Sequence, residues 1–512
     1  MCGSAPGRAT LERWLLERAD PDTIAMRQEA VREMAGAYDF RDRLVAEARM
    51  MGDGGEEDGM DGFLAWAEGR AWLAGRWWGR AAGILLPAVN LTAIVLFSLG
   101  LVPIPAMVWP LVISTLVYTW LRKGLHRCFD EADDGESGVR RFAPLLAVLI
   151  DAPLQTAYAE EILRRLGADP AGRRTAPEEI ATLRSLLDLS DARRSPLLHI
   201  PLAVVLFWDV HVLAALERWK ARSGARVRDW LDAAGEAEAL GALAALAADH
   251  PDWTFPVIDP AATTLHGEAI GHPLLEPAAC VTNDVEVGPA GSFLLVTGSN
   301  MSGKSTLLKA VGVNAVLAQT GGPVCARSLR MPPMRIVTSI YVEDSLADGV
   351  SYFMAGLQRL KVVVDAARNG VGPSRPAIAS PTDSPPERAP DQATPTIPHT
   401  LYLLDEILQG TNSAERRIAA RTVLRHLLAT GAIGAVTTHD LTLADAEDLV
   451  ERAVAVHFTD SVGDGVEGLT FDYRLRDGIA TSTNALKLLE LAGLGDGGGP
   501  RPRRPHRGSR KP

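Results

Sequence analysis

Cysteine is scarce in this chain of 512 residues, and its four cysteines, Cys2, Cys128, Cys280 and Cys325, are far apart. They form no CxxC pair and show no spacing typical of a metal site. This scarcity argues against a disulfide-stabilised secreted domain and against a structural zinc site. We therefore expect reduced thiols in the cytosol.

An excess of basic residues is also lacking, since the formal net charge is −11 and the isoelectric point is about 5.6. These values exclude a surface covered with phosphate-binding cations. Basic residues instead cluster in the tail, where residues 497–512 carry six arginines and lysines and no acid. Any nucleic acid should therefore bind a local patch or this tail. The first twenty residues lack an apolar core, so no cleavable signal peptide is expected.

Charge is absent altogether from residues 81–121, and Pro103, Pro105 and Pro110 interrupt this run. Such a run fits two membrane spans of about twenty residues joined by a tight turn. Arginines and lysines flank both ends, which predicts that both ends lie in the cytoplasm. We expect a transmembrane helical hairpin in the cytoplasmic membrane. A buried hairpin in a cytoplasmic protein is the alternative, and the short second half with its Pro110 favours it.

The remaining sequence alternates between helical and mixed patterns. Apolar residues recur at helical spacing up to about residue 250, and short strand-like runs begin at Pro251. An acidic, glycine-rich stretch at 52–61 predicts a loop, and the apolar run at 196–208 is too short to span and predicts a core helix. The predicted segments are a helical core-like segment at 1–80, the hairpin at 81–121, a helical segment at 122–250, an α/β domain at 251–494 and a disordered basic tail at 495–512. Within the α/β domain, residues 371–398 are rich in Pro, Ser and Thr and predict a disordered insertion.

A phosphate-binding loop is indicated where a predicted buried strand at 293–297 runs into GSNMSGKST at 298–306. This strand, loop and helix order is the context that a G-x-x-x-x-G-K-[ST] motif requires. Its glycines let consecutive N–H groups face a phosphate at a helix N-terminus. In this motif Lys304 would neutralise phosphate oxygens and the Ser305 hydroxyl would bind Mg²⁺. The predicted nucleotide-binding residues are Gly298, Ser299, Asn300, Met301, Ser302, Gly303, Lys304, Ser305 and Thr306.

Two further segments add acid–base chemistry downstream of this loop. An apolar strand at 401–404 ends in Asp405 and Glu406, and another apolar run leads to His439. Asp405 is placed to hold Mg²⁺, and Glu406 can polarise an attacking water molecule. His439 can hydrogen-bond the γ-phosphate or that water. The predicted catalytic residues are therefore Lys304, Glu406 and His439, and the predicted metal ligands are Ser305 and Asp405.

Together these segments resemble the MutS branch of the ABC-type ATPases over roughly residues 265–495. The segments that carry the resemblance are GSNMSGKST at 298–306, EDSLADGVSYFMAGLQRL at 343–360, LLDEILQGTN at 403–412, TTHD at 437–440 and YRLRDGIATSTNALKLLELAGL at 473–494. A fainter similarity to the opening of the family's helical core covers residues 11–34. An LSGGQ sequence is missing, which argues against a transporter ATPase. The resemblance implies a fold of α+α/β class, with an all-helical core-like domain before a P-loop ATPase domain.

The resemblance further implies a homodimer that sandwiches two Mg²⁺–ATP molecules. Ser351 would match the serine that reaches the γ-phosphate bound by the other subunit. ATP turnover would then gate a clamp on double-stranded DNA. The family's separate mismatch-recognition domain has no counterpart in this sequence, and the apolar hairpin interrupts the helical core. We therefore expect either a DNA-binding ATPase of repair or recombination, or a membrane-tethered ATPase switch that acts on another partner.

Overall fold

The structure is a computed structural model, and it describes residues 2–51, 56–167, 174–190, 196–299, 301–340, 352–369, 399–407, 413–439, 448–462 and 469–480. The chain forms two compact units. The first contains Met1–Leu15 and Ala25–His250, and the second contains Leu16–Ile24 and Pro251–Pro512. The predicted insertion at 371–398 and tail at 495–512 lie outside the described residues.

Before Pro251, the regular structure of the described residues is helical. The helices are α1 (Ala5–Leu16), α2 (Pro21–Gly36), α3 (Tyr38–Met50), α4 (Glu56–Glu68), α5 (Trp77–Ser98), α6 (Ile104–Ile150), α7 (Ala157–Arg165), α8 (Ala176–Ser190), α9 (Pro196–Val205), α10 (Trp208–Trp219) and α11 (Arg226–Asp249). A π-helical turn at Lys220–Gly224 joins α10 to α11. The expectation of a loop over residues 52–61 is wrong in its second half, because α4 begins at Glu56 and buries Phe63.

Helices α5 and α6 form the apolar hairpin, with a turn at residues 99–103. Both are long and apolar enough to cross a membrane, by length and composition, over Trp77–Ser98 and Ile104–Ala132. Pro110 does not interrupt the second helix as its sequence suggested, because it lies inside α6, which is 47 residues long. Most of the hairpin surface is exposed, including the side chains of Leu85, Leu116 and Trp109. This surface is far more apolar than the surface of a typical soluble protein.

The apolar run at 196–208 is two helices rather than the single core helix that was expected. Helix α9 ends at Val205, Phe207 takes a left-handed backbone conformation with φ of 50°, and α10 begins at Trp208. The two helices meet at 78°. We call residues 204–209 the elbow.

The described residues of the second unit form two sheets. Its strands are β1 (Val257–Ile258), β2 (Leu265–Ile270), β3 (Asn283–Val287), β4 (Phe293–Thr297), β5 (Ser328–Met331), β6 (Met334–Ser339), β7 (His399–Asp405), β8 (Ile433–Thr438), β9 (Ala453–Val462) and β10 (Leu469–Asp477). Its helices are α12 (Lys304–Thr320), α13 (Tyr352–Asn369) and α14 (Ser413–Ala429). The smaller sheet has the order β1-β5-β2-β3.

The larger sheet positions the candidate site. Its strand order is β10-β9-β4-β8-β7-β6, and all neighbours from β9 to β6 are parallel. Every residue of β4 and β8 is buried, as is typical of parallel strands covered on both faces. Ligands of such sheets bind beyond the carboxyl ends of the strands. In this chain that edge carries the glycine-rich loop, the acidic pair and His439.

Candidate functional site

The glycine-rich loop at 298–303 adopts a backbone path that requires its glycines. Gly298 and Gly303 have φ values of 143° and 106°, which other residues rarely adopt. A Cβ atom on Gly298 would lie 3.0 Å from the carbonyl oxygen of Phe458, so the loop also packs too closely for a side chain there. Helix α12 starts at Lys304, directly after the left-handed Gly303. The unpaired N–H groups at the start of α12 therefore lie next to the loop.

Lys304 is held inside this loop. Its side chain is buried, and Nζ donates to the carbonyl oxygens of Gly298 at 3.0 Å and Ser299 at 2.7 Å. Burial lowers the pKa of the ammonium, whereas the nearby negative charges of Glu406 and Asp405 act to raise it. The Lys304 ammonium therefore interacts electrostatically with both carboxylates.

Two hydroxyl groups of the loop provide a test of whether it fits a phosphate. The Oγ atoms of Ser299 and Ser302 are buried and have no hydrogen-bond partner in the part of the chain that the structure describes. Buried hydroxyls normally have a hydrogen-bond partner, so a ligand with acceptor oxygens would supply the partners that these two lack. Together with the buried Lys304, these donors suit the oxygens of a polyphosphate.

Strand register brings the acidic pair to the same edge. Thr437 of β8 is paired with Val296 of β4 on one side and with Asp405 of β7 on the other. Asp405 is thus two strands from the start of the loop, or about 10 Å at the usual spacing of strands. That separation leaves room for a magnesium ion and phosphate groups between the carboxylate and the loop.

The hydroxyl of Thr437 connects the two acids. It donates to Oδ1 of Asp405 and accepts from the backbone N–H of Glu406 at 3.1 Å. Glu406 has a φ of 45°, an uncommon conformation for a residue with a side chain. Outliers of this kind cluster at functional sites, where the surrounding structure holds them.

His439 completes the group at the end of β8. Its Nδ1 lies 3.4 Å from Oε2 of Glu406, and its ring is about half exposed. Within the described residues, no three His, Cys, Asp or Glu side chains cluster to hold a metal. A magnesium ion that accompanies a nucleotide does not require such a cluster, since phosphates and water supply most of its ligands.

The structure thus gathers most of the predicted site residues. Lys304, Asp405, Glu406 and His439 lie at one edge of the sheet, beside Gly298, Ser299, Ser302 and Gly303. Met301 lies at the exposed tip of the loop, and Ser305 and Thr306 follow Lys304 in the first turn of α12. Asn300 and Ser351 lie outside the described residues.

Two residues near the site were not predicted. The sequence marks Thr437 only as the first residue of the TTHD segment. Its contact with Asp405 and Glu406 depends on the register between β7 and β8, which the sequence does not reveal. Tyr473 is the other, and its ring lies 3.2 Å from where a Cβ atom on Gly303 would stand. The Asn283 side chain fixes the backbone there, donating to the Tyr473 carbonyl oxygen at 3.0 Å and accepting from the Leu475 N–H at 2.7 Å. Nothing in the sequence pattern indicates this irregular part of β10.

The sequence predicts that this site hydrolyses a nucleotide, and replacing Thr437 with valine, which has the same shape but no hydroxyl, is then expected to lower the hydrolysis rate by about tenfold or more. Mutation of side chains that hydrogen-bond to metal-binding carboxylates commonly lowers activity by this amount. Steady-state hydrolysis by purified protein measures the effect. Thr437→Ser keeps the hydroxyl and should retain most of the rate. Equal rates for the two variants would show that the hydroxyl does not position the acids.

Comparison with known proteins agrees with this geometry. A family model described as MutS domain V matches residues 294–370. The DNA mismatch repair protein MutS 2 of Halobacterium salinarum is 31% identical over 279 residues, covering 54% of this chain and 28% of that protein. The DNA mismatch repair protein MutS of Natronomonas pharaonis is 28% identical over 274 residues, covering 52% of this chain and 28% of that protein.

A plant relative gives the same result. The DNA mismatch repair protein MSH6 of Arabidopsis thaliana is 28% identical over 244 residues, covering 45% of this chain and 16% of that protein. The chain therefore spans less than a third of the length of each of these relatives. The sequence of the glycine-rich loop and its sheet, the match to MutS domain V and the three relatives agree on one assignment. Residues 294–370 match domain V of the MutS family, and over about half of its length the chain is similar to proteins of that family.

Proposed function

We propose that the second unit binds Mg²⁺–ATP and hydrolyses it to ADP and phosphate. The observation that carries this proposal is the placement of Asp405 and Glu406 two strands from the glycine-rich loop, where both charges act on the buried Lys304. A buried lysine, unpaired buried hydroxyls and two adjacent carboxylates match the requirements of phosphoryl transfer, in which catalysis depends on positioning and electrostatics.

Each residue has a distinct role in this proposal. The loop N–H groups and Lys304 bind the phosphates, and Ser305 and Asp405 hold magnesium. Magnesium, when bound, supplies positive charge that offsets the charge of the phosphate oxygens. Glu406 orients the attacking water and accepts its proton, and His439, 3.4 Å away, holds the Glu406 carboxylate in position. The exposed ring of Tyr473 beside Gly303 offers a surface for the adenine base.

We further propose that the protein acts as a homodimer on double-stranded DNA, in a process related to mismatch repair or recombination. The similarity to three DNA mismatch repair proteins supports this. In the dimer, Ser351 of one protomer would contact the γ-phosphate held by its partner, and ATP turnover would gate a clamp. We expect little preference for mismatches, because the residues that carry the resemblance form the nucleotide site.

A second function is favoured by the exposed apolar surface of α5 and α6. This hairpin would place the protein at the cytoplasmic membrane, with the ATPase unit in the cytoplasm. A membrane-tethered ATPase switch could then act on a partner other than DNA. Both functions would use the same nucleotide-site motifs, so binding experiments are needed to identify the partner.

The test is an ATPase assay of the full chain in detergent, with and without duplex DNA, at two salt concentrations. We expect measurable hydrolysis, DNA binding that changes with ATP and weakens as salt rises, and similar affinities for matched and mismatched duplexes. Hydrolysis without DNA binding under any nucleotide condition would favour the membrane-tethered switch. The absence of hydrolysis under every condition would contradict the enzymatic proposal.

A further inference from the structure

The elbow between α9 and α10 packs against the middle of the apolar hairpin. Asn90 of α5 lies ten residues after Arg80, and Ser114 of α6 lies eight residues before Arg122. At the rise of an α-helix these separations are about 15 and 12 Å. If the basic residues mark the membrane surface, Asn90 and Ser114 lie near the middle of a hydrocarbon layer about 30 Å thick. The elbow is at the depth of these two side chains.

The hydrogen bonds of the elbow are made to the hairpin. A helix end leaves carbonyl groups without partners, which is costly in lipid, where no water can replace them. The amide nitrogen of Asn90 lies 3.4 Å from the Val204 oxygen, 3.2 Å from the Val205 oxygen and 2.9 Å from Oγ of Ser114. Asn90 and Ser114 are fully buried. A polar residue in the centre of an apolar helix is thus used to satisfy the backbone of the elbow.

Two ionisable residues, Asp209 in the elbow and His199 in α9, are also enclosed by neighbouring helices. Asp209, which is only 1% exposed, accepts from the Tyr118 hydroxyl of α6 at 2.6 Å. His199 of α9 places its Nε2 2.9 Å from Oδ1 of the same carboxylate. Ionisable residues at membrane depth are tolerated when they pair with one another inside the protein. The His199–Asp209 pair meets that condition.

Helix α10 packs closely against α5, and α9 has an apolar outer surface. A Cβ atom on Gly83 of α5 would lie 2.8 Å from a methyl group of Val210, so a small residue is needed where α10 crosses the hairpin. Small residues at such crossings are typical of helices packed within membranes. On the other side of α9, Ile200 is 61% exposed. Polar groups face inward at the elbow, and an aliphatic side chain faces outward.

We propose that α9 and the elbow form a re-entrant segment that lies in the bilayer beside α5 and α6, with Ile200 in contact with lipid acyl chains. The membrane unit then has three inserted segments instead of two. This inference rests on the proposed insertion of the hairpin. It assigns Asn90, Ser114, Tyr118, His199 and Asp209 to a polar contact that holds the re-entrant segment within the layer.

Cysteine labelling of the full chain in membrane vesicles tests the proposal. In a background with the four native cysteines replaced by serine, single cysteines are introduced as Ile200→Cys in α9, Leu91→Cys in the hairpin and Ser185→Cys on the exposed side of α8. A membrane-impermeant maleimide reacts only with thiols that reach water. We expect rapid labelling at position 185 from the cytoplasmic side. Positions 200 and 91 should react only after detergent is added.

The pattern of labelling separates the two proposals. If position 200 reacts as fast as position 185 while position 91 stays protected, the re-entrant segment is disproved and the hairpin stands. If positions 200 and 91 both react before detergent, or if carbonate extraction releases the protein from membranes, the insertion of the hairpin is disproved as well.

A second pair of variants tests the role of Asn90. Asn90→Leu removes the donor that satisfies Val204 and Val205, so position 200 should become reactive in intact vesicles while position 91 stays protected. Thr92→Leu changes an exposed polar residue of the same helix and should leave position 200 protected. Protection of position 200 in both variants would overturn the assignment of Asn90 as the group that holds the elbow.

Discussion

Replacing Glu406 with glutamine is expected to leave ATP binding intact and to lower the hydrolysis rate by about 10²- to 10⁴-fold, the usual contribution of a general base. Glutamine has nearly the same shape, so the backbone bonds of residue 406 to Thr437 should persist. The amide cannot accept a proton from water at neutral pH. Single-turnover hydrolysis and equilibrium binding of a fluorescent ATP analogue separate these two effects.

The same variant should accumulate as an ATP-bound dimer, because the proposed sandwich forms on binding and is released by hydrolysis. Size-exclusion chromatography with ATP measures this shift. Glu451→Gln, at an exposed glutamate after the site, provides the matched control and should behave as the wild type. Wild-type turnover by the Glu406 variant would show that another group acts as the base.

Replacing Lys304 with alanine is expected to weaken ATP binding by at least about 100-fold, which corresponds to about 2.7 kcal/mol. The ammonium is buried in the loop and would face the β- and γ-phosphates, where a charge-assisted bond is strong. Isothermal titration with ATP measures the loss directly. Lys309→Ala, five residues further along the same helix and exposed, should leave ATP affinity unchanged.

Thermal unfolding distinguishes lost binding from lost folding in this variant. A ligand that binds only the folded state raises the melting temperature, and the rise grows with the logarithm of its concentration relative to its dissociation constant. ATP should therefore raise the melting temperature of the wild type and of Lys309→Ala but not of Lys304→Ala. An equal rise in all three proteins would contradict the role of Lys304 in phosphate binding.

The local parts of the nucleotide site could be predicted from the sequence because each has its own pattern. A continuous apolar run ending in GSNMSGKS predicts a buried strand, a loop and a helix, and the structure forms β4 and α12 at these residues. The placement of Asp405 beside Thr437 could not be predicted. It depends on which strands are neighbours in the sheet and on their register, and neither is encoded within a single segment.

In the helical part, the structure differs from the sequence-based predictions where tertiary packing outweighs the local pattern. The acidic stretch at 52–61 suggested a loop, yet α4 begins at Glu56, where burial of Phe63 and Leu64 outweighs the weak helix propensity of glycine. Pro110 does not end α6, because proline is tolerated in helices of apolar hairpins. The elbow has no periodicity of its own and depends on the left-handed backbone of Phe207.

A single hydroxyl group, that of Thr437, joins the metal-binding side of the proposed site to its acid–base side. Because the same hydroxyl serves Asp405 and the backbone of Glu406, a shift of β8 relative to β7 would disturb both carboxylates at once. Retention of the ion and activation of the water molecule would then be gained or lost together. A partner that pulls on β8 could thus stop turnover completely, without leaving the protein in a half-active state.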